Sequence, residues 1–307
     1  MKKILITGIT GFVGNHLKDH LDKNDYEVHG TSLSQESTEG NTQIHKVNLL
    51  DEENVFKLIQ ELQPDLVIHL AALSSPKKSF ENPKEFLQNN TDAQLNLLLA
   101  IKKAEISPRI LIVSSGEIYG SQEKLPINEA APLFPTSPYS VSKITQDYLA
   151  LQYFLSEGMD IIRVRPFNHI GPGQSDEFVV SSFAKQIAEL ERNDGIVKVG
   201  NLSAKRDFTD VRDMVKAYVL ILEKGKSGEV YNIGRGISYE VKFILDTLIS
   251  LSGKDIRTEV DKSRLRPIDI PDIICENTKI HEATGWTPEI PLEKTLQDTL
   301  DYWRQII

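Results

Sequence analysis

The first half of the chain alternates short apolar runs with amphipathic stretches of helical period. The apolar runs have the length of strands and cover residues 3–7, 27–31, 43–47, 66–70, 109–113 and 160–165. Helical patterns lie between most of them. This alternation predicts parallel strands covered by helices, the doubly wound α/β arrangement called the Rossmann fold.

The regular alternation stops after Pro166. A turn-rich loop over residues 168–175 follows, short elements continue to Arg206, and later patterns predict helices near 211–223, 239–252 and 292–304 and a strand at 229–233 that rejoins the main sheet. The sequence therefore predicts a Rossmann domain over residues 1–166, to which 206–236 return. Residues 167–205 and 237–307 are predicted to form a smaller C-terminal substrate-binding lobe.

Three glycines follow the first apolar run directly, at positions 8, 11 and 14. Glycines at this place allow a tight turn, a close approach of the backbone to a pyrophosphate, and close packing of helix on strand. Gly8, Gly11 and Gly14, with Phe12 and Val13 between them, are therefore predicted to bind a dinucleotide. A glycine-rich turn without a ligand is the alternative.

A tyrosine and a lysine stand four residues apart at the start of a predicted helix near 141–155. Ser137 suits the N-cap and Pro138 the first helical position, so Tyr139 and Lys143 should share one face. An ammonium beside a phenol favours the phenolate, which lowers the pKa of the tyrosine and suits it to proton transfer. Taken alone, the pair also fits an ordinary surface helix.

The composition and net charge of the chain limit the classes of molecule that it can bind. The chain has 307 residues, of which 40% are hydrophobic and 26% charged, with a net charge of -9 and an isoelectric point near 5.4. A negative surface argues against a general nucleic-acid binder or a protein that lies on anionic membranes, so an anionic small substrate needs a local basic pocket. Cys275 is the single cysteine, and no metal site is predicted. The sequence shows no signal peptide and no apolar run approaching ~20 residues, so we expect a cytoplasmic protein.

Further motifs occur in a fixed order with the glycine and tyrosine-lysine motifs: His69-Leu70-Ala71-Ala72, Ser114-Ser115, Tyr119-Gly120, Arg165-Pro166-Phe167-Asn168, Arg206-Asp207-Phe208 and Leu265-Arg266-Pro267. Over essentially its whole length the chain resembles the extended short-chain dehydrogenase/reductase family, which acts on nucleotide-activated sugars. The resemblance implies that Ser115 hydrogen-bonds the reacting sugar oxygen and that Tyr139 is the acid/base. Lys143 would hold the nicotinamide ribose, and Leu70, Ala71 and Ala72 would contact the cofactor.

The choice between NADP and NAD rests on the end of the second strand. An acidic residue there would bind a ribose hydroxyl and a basic one a 2'-phosphate, whereas this chain has Thr31 and Ser32. Hydroxyls without a carboxylate favour NADPH, and NAD stays open. Asn48 and Leu49 occupy the place where the family usually has an aspartate facing the adenine, and they are predicted to contact the cofactor.

For the substrate, the resemblance implies that Arg206 and Arg266 grip a diphosphate and that Asp269 reaches a ribose hydroxyl. Guanidinium groups suit phosphate because they bind its oxygens in a fork. The other predicted substrate contacts are Ser74, Ser115, Glu117, Asn168, Val179 and Lys185.

Among family members, the chain is most similar to those that reduce GDP-4-keto-6-deoxy-D-mannose to GDP-D-rhamnose. GDP-mannose 4,6-dehydratases, which pair a glutamate with a proton-donating neighbour, are the first alternative. Glu117 matches that glutamate, but Gly116 beside it has no proton to give. A nucleotide-sugar 4-epimerase and a non-catalytic dinucleotide sensor are the others. Sensors commonly lose the tyrosine-lysine pair, which this chain keeps.

Two predicted helices, near 91–104 and 141–155, carry apolar residues on more than one face. One face must cover the sheet. The remaining apolar side chains predict a homodimer that pairs these helices, as is common in the family, or else complete burial within one chain.

Overall fold

The computed structural model describes residues 1–23, 26–193, 195–265 and 268–307. Numbered along the chain, its strands are β1 Lys2–Thr7, β2 Tyr26–Ser32, β3 Ser37–Glu39, β4 Thr42–Lys46, β5 Leu66–His69, β6 Arg109–Val113, β7 Ile161–Pro166, β8 Asn168–Ile170, β9 Ile196–Val199, β10 Lys205–Asp210, β11 Val230–Ile233, β12 Ser238–Glu240, β13 Arg257–Val260 and β14 Asp272–Ile273. Its α-helices are α1 Phe12–Leu21, α2 Glu52–Leu62, α3 Pro76–Glu81, α4 Pro83–Lys103, α5 Pro138–Glu157, α6 Val179–Leu190, α7 Val211–Lys224, α8 Val241–Ser252, α9 Thr278–Thr284 and α10 Leu292–Ile306.

Eight strands form the large sheet, in the order β11-β7-β6-β5-β1-β2-β4-β3. Every neighbouring pair is parallel except β3 with β4, and Ile4 of β1 pairs with Val28 of β2 on one side and Leu66 of β5 on the other. The strand order therefore reverses at β1. In such sheets the carboxyl ends of the strands border a crevice at the reversal, where ligands bind.

Alternate side chains of the central strands enter two separate cores. Ile4 and Ile6 pack with α1 and α7, whereas Leu5 lies between them in sequence and packs with α2 and α4 on the opposite face. Both faces of the sheet are covered, which explains why its strands read as continuous apolar runs. The predicted doubly wound α/β class is confirmed.

The rest of the chain forms smaller sheets and a third core. β10 pairs with β8, β12 and β14, and β9 pairs with β13. Apolar residues of α6, α8 and α10 make the core beneath them, with Phe183, Leu245 and Leu296 fully or almost fully buried. β10 thus belongs to the smaller sheet, while α7 and β11 lie on the large one.

Predicted elements of the large sheet lie within one residue of their observed ends, but several helices were missed or started late. α4 begins at Pro83 rather than near residue 91, because a proline at the first turn fits where no N–H is needed. α3 is capped by Ser75, whose hydroxyl accepts from the N–H of Lys78. α6 was expected only as part of a set of short elements.

Within the described ranges, no helix is long and apolar enough to cross a bilayer.

Candidate active site

A cleft of about 820 Å³ opens at the carboxyl ends of the central strands, facing residues of the smaller sheets. It brings together nearly all the residues predicted for the site from distant parts of the sequence. The predicted residues that line it are Gly8, Gly11, Phe12, Val13, Gly14, Thr31, Ser32, Asn48, Leu49, Leu70, Ala71, Ala72, Ser74, Ser115, Glu117, Tyr139, Lys143, Asn168, Val179, Arg206 and Asp269.

The glycine loop between β1 and α1 forms a cradle that side chains would fill. Gly8 has a φ of 72°, a backbone conformation that favours glycine. A Cβ on Gly14 would lie 2.4 Å from the carbonyl oxygen of Ile9, so this position also admits no side chain. The loop runs into the N-terminus of α1, where backbone N–H groups and the helix dipole attract anions. These residues fit the pyrophosphate of a dinucleotide.

The hydroxyls at the end of β2 are already engaged. Thr31 Oγ1 accepts from the backbone N–H of Gly8 at 3.2 Å, and Ser32 Oγ accepts from Thr10 Oγ1 at 3.3 Å. Thr31 therefore holds the glycine loop in place. At the end of β4, Asn48 Oδ1 accepts from the N–H of Leu50 at 3.0 Å and shapes the adjoining turn.

Tyr139 lies in the first turn of α5, which Ser137 caps as predicted by accepting from the N–H of Ser140. The predicted lowering of its pKa by Lys143 is wrong for this structure. Burial raises the pKa of the Tyr139 phenol, the nearby Glu117 carboxylate raises it further, and a hydrogen bond with Ser115 opposes both. Tyr139 is therefore a protonated phenol at neutral pH, beside the serine that the prediction placed with it.

Lys143 points to partners other than the tyrosine. Its Nζ donates to the backbone carbonyl of Val113 and to Gln146 Oε1, each at 2.6 Å. Burial lowers the pKa of Lys143 to about 7, and the charge of Asp147 acts in the opposite direction. The ammonium is thus held by two acceptors and sits near its titration midpoint at neutral pH.

A chain of buried hydrogen bonds continues from Lys143 through Gln146. Gln146 Nε2 donates to His69 Nε2 at 3.3 Å, and Nδ1 of the same ring then donates to Thr7 Oγ1 at 2.8 Å. Burial, with a contribution from Lys143, lowers the pKa of His69 to about 3. The ring is therefore neutral and carries one proton, which the hydrogen bonds assign to Nδ1. Thr7 Oγ1 also accepts from the N–H of Ala71 at 3.1 Å. The chain therefore links Lys143 to the strand end that borders the cofactor cradle.

Gly116 begins the short 3₁₀ turn Gly116–Tyr119, which lies beside Tyr139. A Cβ added there would lie 2.9 Å from Cδ2 of Phe167, so a side chain at this position would require the buried Phe167 ring to shift. Glu117, the next residue, lines the cleft. The site has a carboxylate, but the adjacent residue is a glycine without a proton-donating side chain, and it is packed against Phe167.

On the substrate side, Arg206 Nη2 donates to Asp269 Oδ1 at 2.8 Å, and Arg206 Nη1 donates to the carbonyl of Ile270 at 2.7 Å. The two predicted substrate contacts thus bind each other. Lys185 does not reach the cleft wall and pairs with Asp176 at 2.7 Å. Arg266 lies outside the described residues.

Several lining residues were not predicted. Arg264, which was not among the predicted site residues, lines the cleft and donates from Nη1 to Ser182 Oγ at 2.9 Å. The rings of Phe12 and His169 stack at 6.1 Å.

Gln146, which holds the Lys143 ammonium, was also not predicted. It stands three residues after Lys143 on one helix, a spacing that could have suggested the contact between the two side chains. No cluster of His, Cys, Asp and Glu side chains in the described ranges is arranged to hold a metal ion.

A doubly wound sheet, a glycine cradle at its point of reversal, and a serine, tyrosine and lysine at the adjoining strand ends define a short-chain dehydrogenase/reductase of the epimerase/dehydratase type. The chain belongs to the GDP-mannose 4,6 dehydratase family, whose sequence model matches residues 5–299.

Individual proteins and solved structures are similar to this chain over nearly its whole length. The chain is 34% identical to GDP-6-deoxy-D-mannose reductase of Pseudomonas aeruginosa, over 98% of this chain and 97% of that protein. The solved structure of RMD from Pseudomonas aeruginosa complexed with NADPH matches with a TM-score of 0.90 and 33% identity, covering 100% of both chains. UDP-glucose 4-epimerase of Thermus thermophilus, complexed with NAD, matches with a TM-score of 0.89 and 26% identity, covering 99% of this chain and 100% of that one.

Proposed function

We propose that this protein reduces GDP-4-keto-6-deoxy-D-mannose to GDP-D-rhamnose with NADPH or NADH. The observation that carries the proposal is the contact between Gly116 and Phe167 beside Glu117. A 4,6-dehydratase needs a proton donor next to its glutamate, and here that position is a glycine whose Cβ would stand 2.9 Å from the Phe167 ring. The full-length similarity to GDP-6-deoxy-D-mannose reductase supports the same activity.

The protonation state of Tyr139 suits the reducing direction. When bound, the reduced nicotinamide supplies the hydride. Tyr139 gives its proton to the sugar oxygen, so it must begin as a neutral phenol, which its raised pKa ensures. The Ser115 hydroxyl, already hydrogen-bonded with Tyr139, would hold the same sugar oxygen. Lys143 would bind the nicotinamide ribose and stabilise the tyrosinate that remains.

The cofactor residues would be those of the glycine cradle and the neighbouring strand ends. Gly8, Gly11 and Gly14 would hold the pyrophosphate, with Phe12 and Val13 opening α1 beneath it. The remaining cofactor contacts would come from Thr31, Ser32, Asn48, Leu49, Leu70, Ala71 and Ala72. NADPH is favoured over NADH, because the end of β2 carries no carboxylate to repel a 2'-phosphate and the matching reductase structure contains NADPH.

The sugar nucleotide would lie toward the smaller sheets, between Asn168 and Val179 on one side and Arg206 with Asp269 on the other. The Arg206–Asp269 pair must then open or share its guanidinium when a diphosphate binds. Arg264 lies on the same wall and could provide a second guanidinium. Ser74 lines the cleft and would complete the set of substrate contacts.

We further propose that residues 1–166 and 206–236 form the cofactor-binding unit and that 167–205 and 237–307 form the substrate lobe. The two cores on either side of the large sheet and the third core under α6, α8 and α10 support most of this division. The exceptions are Phe208 of β10, which lies in the third core, and Ile280 and Trp286, which lie in a core of the large sheet. A homodimer is proposed through α4 and α5, because a row of apolar side chains on α5 is exposed in the single chain.

The decisive experiment measures the redox balance. The protein is incubated with GDP-4-keto-6-deoxy-D-mannose and NADPH or NADH, while the loss of reduced cofactor and the product mass are followed. A reductase consumes the cofactor in stoichiometric amount, and its product gains two hydrogens. Separately, GDP-mannose and UDP-glucose are supplied with only a trace of oxidised cofactor.

Each alternative has its own outcome in that experiment. Loss of water from GDP-mannose without net cofactor consumption, abolished by Glu117→Gln, would replace the reductase with a dehydratase. Interconversion of C4 epimers without net consumption would indicate an epimerase. Cofactor binding with no turnover of any sugar would favour a dinucleotide sensor. For the reductase we expect Glu117→Gln to slow turnover modestly, since reduction removes no C5 proton.

A further inference from the structure

A second tyrosine at the cleft wall has a buried hydroxyl without a hydrogen-bond partner among the described residues. Tyr218 stands in the middle of α7, is completely buried, and lines the cleft wall. No group in the described part of the chain lies within hydrogen-bonding reach of its hydroxyl. Buried hydroxyls are normally paired, because an unmade hydrogen bond leaves the cost of removing the group from water uncompensated. This hydroxyl therefore needs an explanation.

The core that Tyr218 belongs to lies on the cofactor side of the molecule. The Tyr218 side chain belongs to the core that holds Ile6, Ile9 and Val113, and Phe12 packs against that core. It does not belong to the core of the substrate lobe, which α6, α8 and α10 form. Tyr139 is near enough for its charge to raise the pKa of Tyr218 further above the value set by burial. Tyr218 thus lines the cleft from the core that also holds Ile9 of the glycine loop, and Tyr139 is nearby.

We propose that the Tyr218 hydroxyl binds the carboxamide of the nicotinamide ring and so fixes the orientation of the ring. This inference rests on the proposed use of a nicotinamide cofactor. Near Tyr139, the nicotinamide half of the dinucleotide would offer its ribose hydroxyls, which are assigned to Lys143, and its carboxamide. A phenol can donate to the carboxamide oxygen or accept from its nitrogen, so it matches this group in either rotation.

Another unpartnered atom on the described cleft wall is Gln174 Oε1. It is a weaker candidate, because the nitrogen of the same amide already donates to the carbonyl of His169 at 2.9 Å. Gln174 is thus fixed by the loop that carries it, whereas the single polar atom of Tyr218 has no such role.

The test compares Tyr218→Phe with the wild-type protein in binding NADPH and the nicotinamide-free fragment 2'-phospho-ADP-ribose, by calorimetry. Losing one hydrogen bond to the carboxamide should weaken NADPH binding about 3- to 10-fold and leave the fragment unchanged. Tyr153→Phe is the matched control, since Tyr153 lies in the core on the opposite face of the large sheet. It should change neither affinity.

The melting temperature of the ligand-free protein gives a second readout. Removing an unpaired buried hydroxyl should leave the melting temperature of Tyr218→Phe unchanged or raise it, while a structural hydroxyl would lower it. Unchanged NADPH affinity, or equal weakening of NADPH and the fragment, would overturn the assignment. If the wild-type protein bound neither NADPH nor NADH, the proposed function itself would fall and this inference with it. Normal wild-type binding with an unaffected variant would refute the role of Tyr218 alone.

Discussion

Lys143 donates from Nζ to the side-chain oxygen of Gln146, 2.6 Å away on the same helix. Gln146→Leu would remove this acceptor inside a buried site and lower the pKa of Lys143 below its present value of about 7. Less ammonium would then remain above neutrality. We expect activity at about pH 8 to fall roughly 10-fold or more, and to fall less at about pH 6, where more of the lysine is protonated.

The measurement for Gln146→Leu is the pH profile of kcat/KM. Gln152→Leu serves as the control, because Gln152 is on the exposed side of α5 and bonds only to Ser156 among the contacts described for it. An equal loss of activity at every pH would show that Gln146 supports the fold and does not tune Lys143.

Tyr139→Phe should nearly abolish turnover and leave cofactor binding largely intact. The ring and its packing are kept, while the proton carrier is removed, and general acid catalysis typically contributes about 100-fold or more. Tyr148→Phe, on the exposed face of the same helix, controls for the loss of a hydroxyl. Steady-state rates and nucleotide titrations check both expectations. Near-wild-type turnover by Tyr139→Phe would refute the role of Tyr139 as the acid.

Lys143→Met should stabilise the ligand-free protein while weakening cofactor binding and turnover. The pKa of Lys143 is lowered from 10.5 to about 7 on folding, so below pH 7 the folded state must keep a buried ammonium. Between those pKa values the unfolded chain binds more protons, so the wild-type protein gains stability from this group as pH rises. The stability gained by the variant should therefore be largest below about pH 7 and shrink toward pH 10.

Melting temperatures of wild-type protein and Lys143→Met across this pH range test the sign. A variant that is less stable than wild type at about pH 6 would contradict it. A variant whose stability changed while its nucleotide affinity and rate did not would show that Lys143 has only a structural role.

The sequence was most informative where local chemistry sets the backbone. The glycine loop, the cap at Ser137 and the apolar runs of the large sheet follow from short-range rules, and their elements appear within a residue or so of the predicted ends. The site residues on different strands could be grouped because parallel strands end at one edge.

What could not be predicted depends on contacts between residues distant in the sequence. The raised pKa of Tyr139 comes from burial and from Glu117, and the direction of the Lys143 side chain comes from Val113 on β6. Tyr218 follows a helical apolar pattern, so only the packing of α7 shows that it lines the cleft and that its hydroxyl has no partner among the described residues. Arg206 and Asp269 each looked available for a ligand until the fold placed them together.

Gly116→Ala should destabilise the protein by about 1–3 kcal/mol, the usual cost of overpacking a filled site. The new Cβ would lie 2.9 Å from the Phe167 ring, which is itself buried. Combining it with Phe167→Leu should recover part of this loss, because the smaller side chain makes room. A double-mutant cycle of unfolding free energies measures the coupling. Additive effects would show that Phe167 does not close position 116 to side chains.

In the proposed dimer, a charge placed on the exposed apolar side of α5 should prevent association of the two copies. Val141, Tyr148 and Leu155 are 41%, 53% and 71% exposed in the single chain, and their spacing of seven residues places them along one side of the helix. A second copy that packs its own α4 and α5 on this side would bury all three. Tyr148→Glu should then place a charge in an apolar interface and convert dimer to monomer. Sedimentation velocity would detect the change. The control is Phe243→Glu, which charges an apolar residue 42% exposed on α8 and should leave the association unchanged. A wild-type protein that sediments as a monomer at all concentrations would refute the dimer, whereas a dimer that survives Tyr148→Glu would place the interface elsewhere.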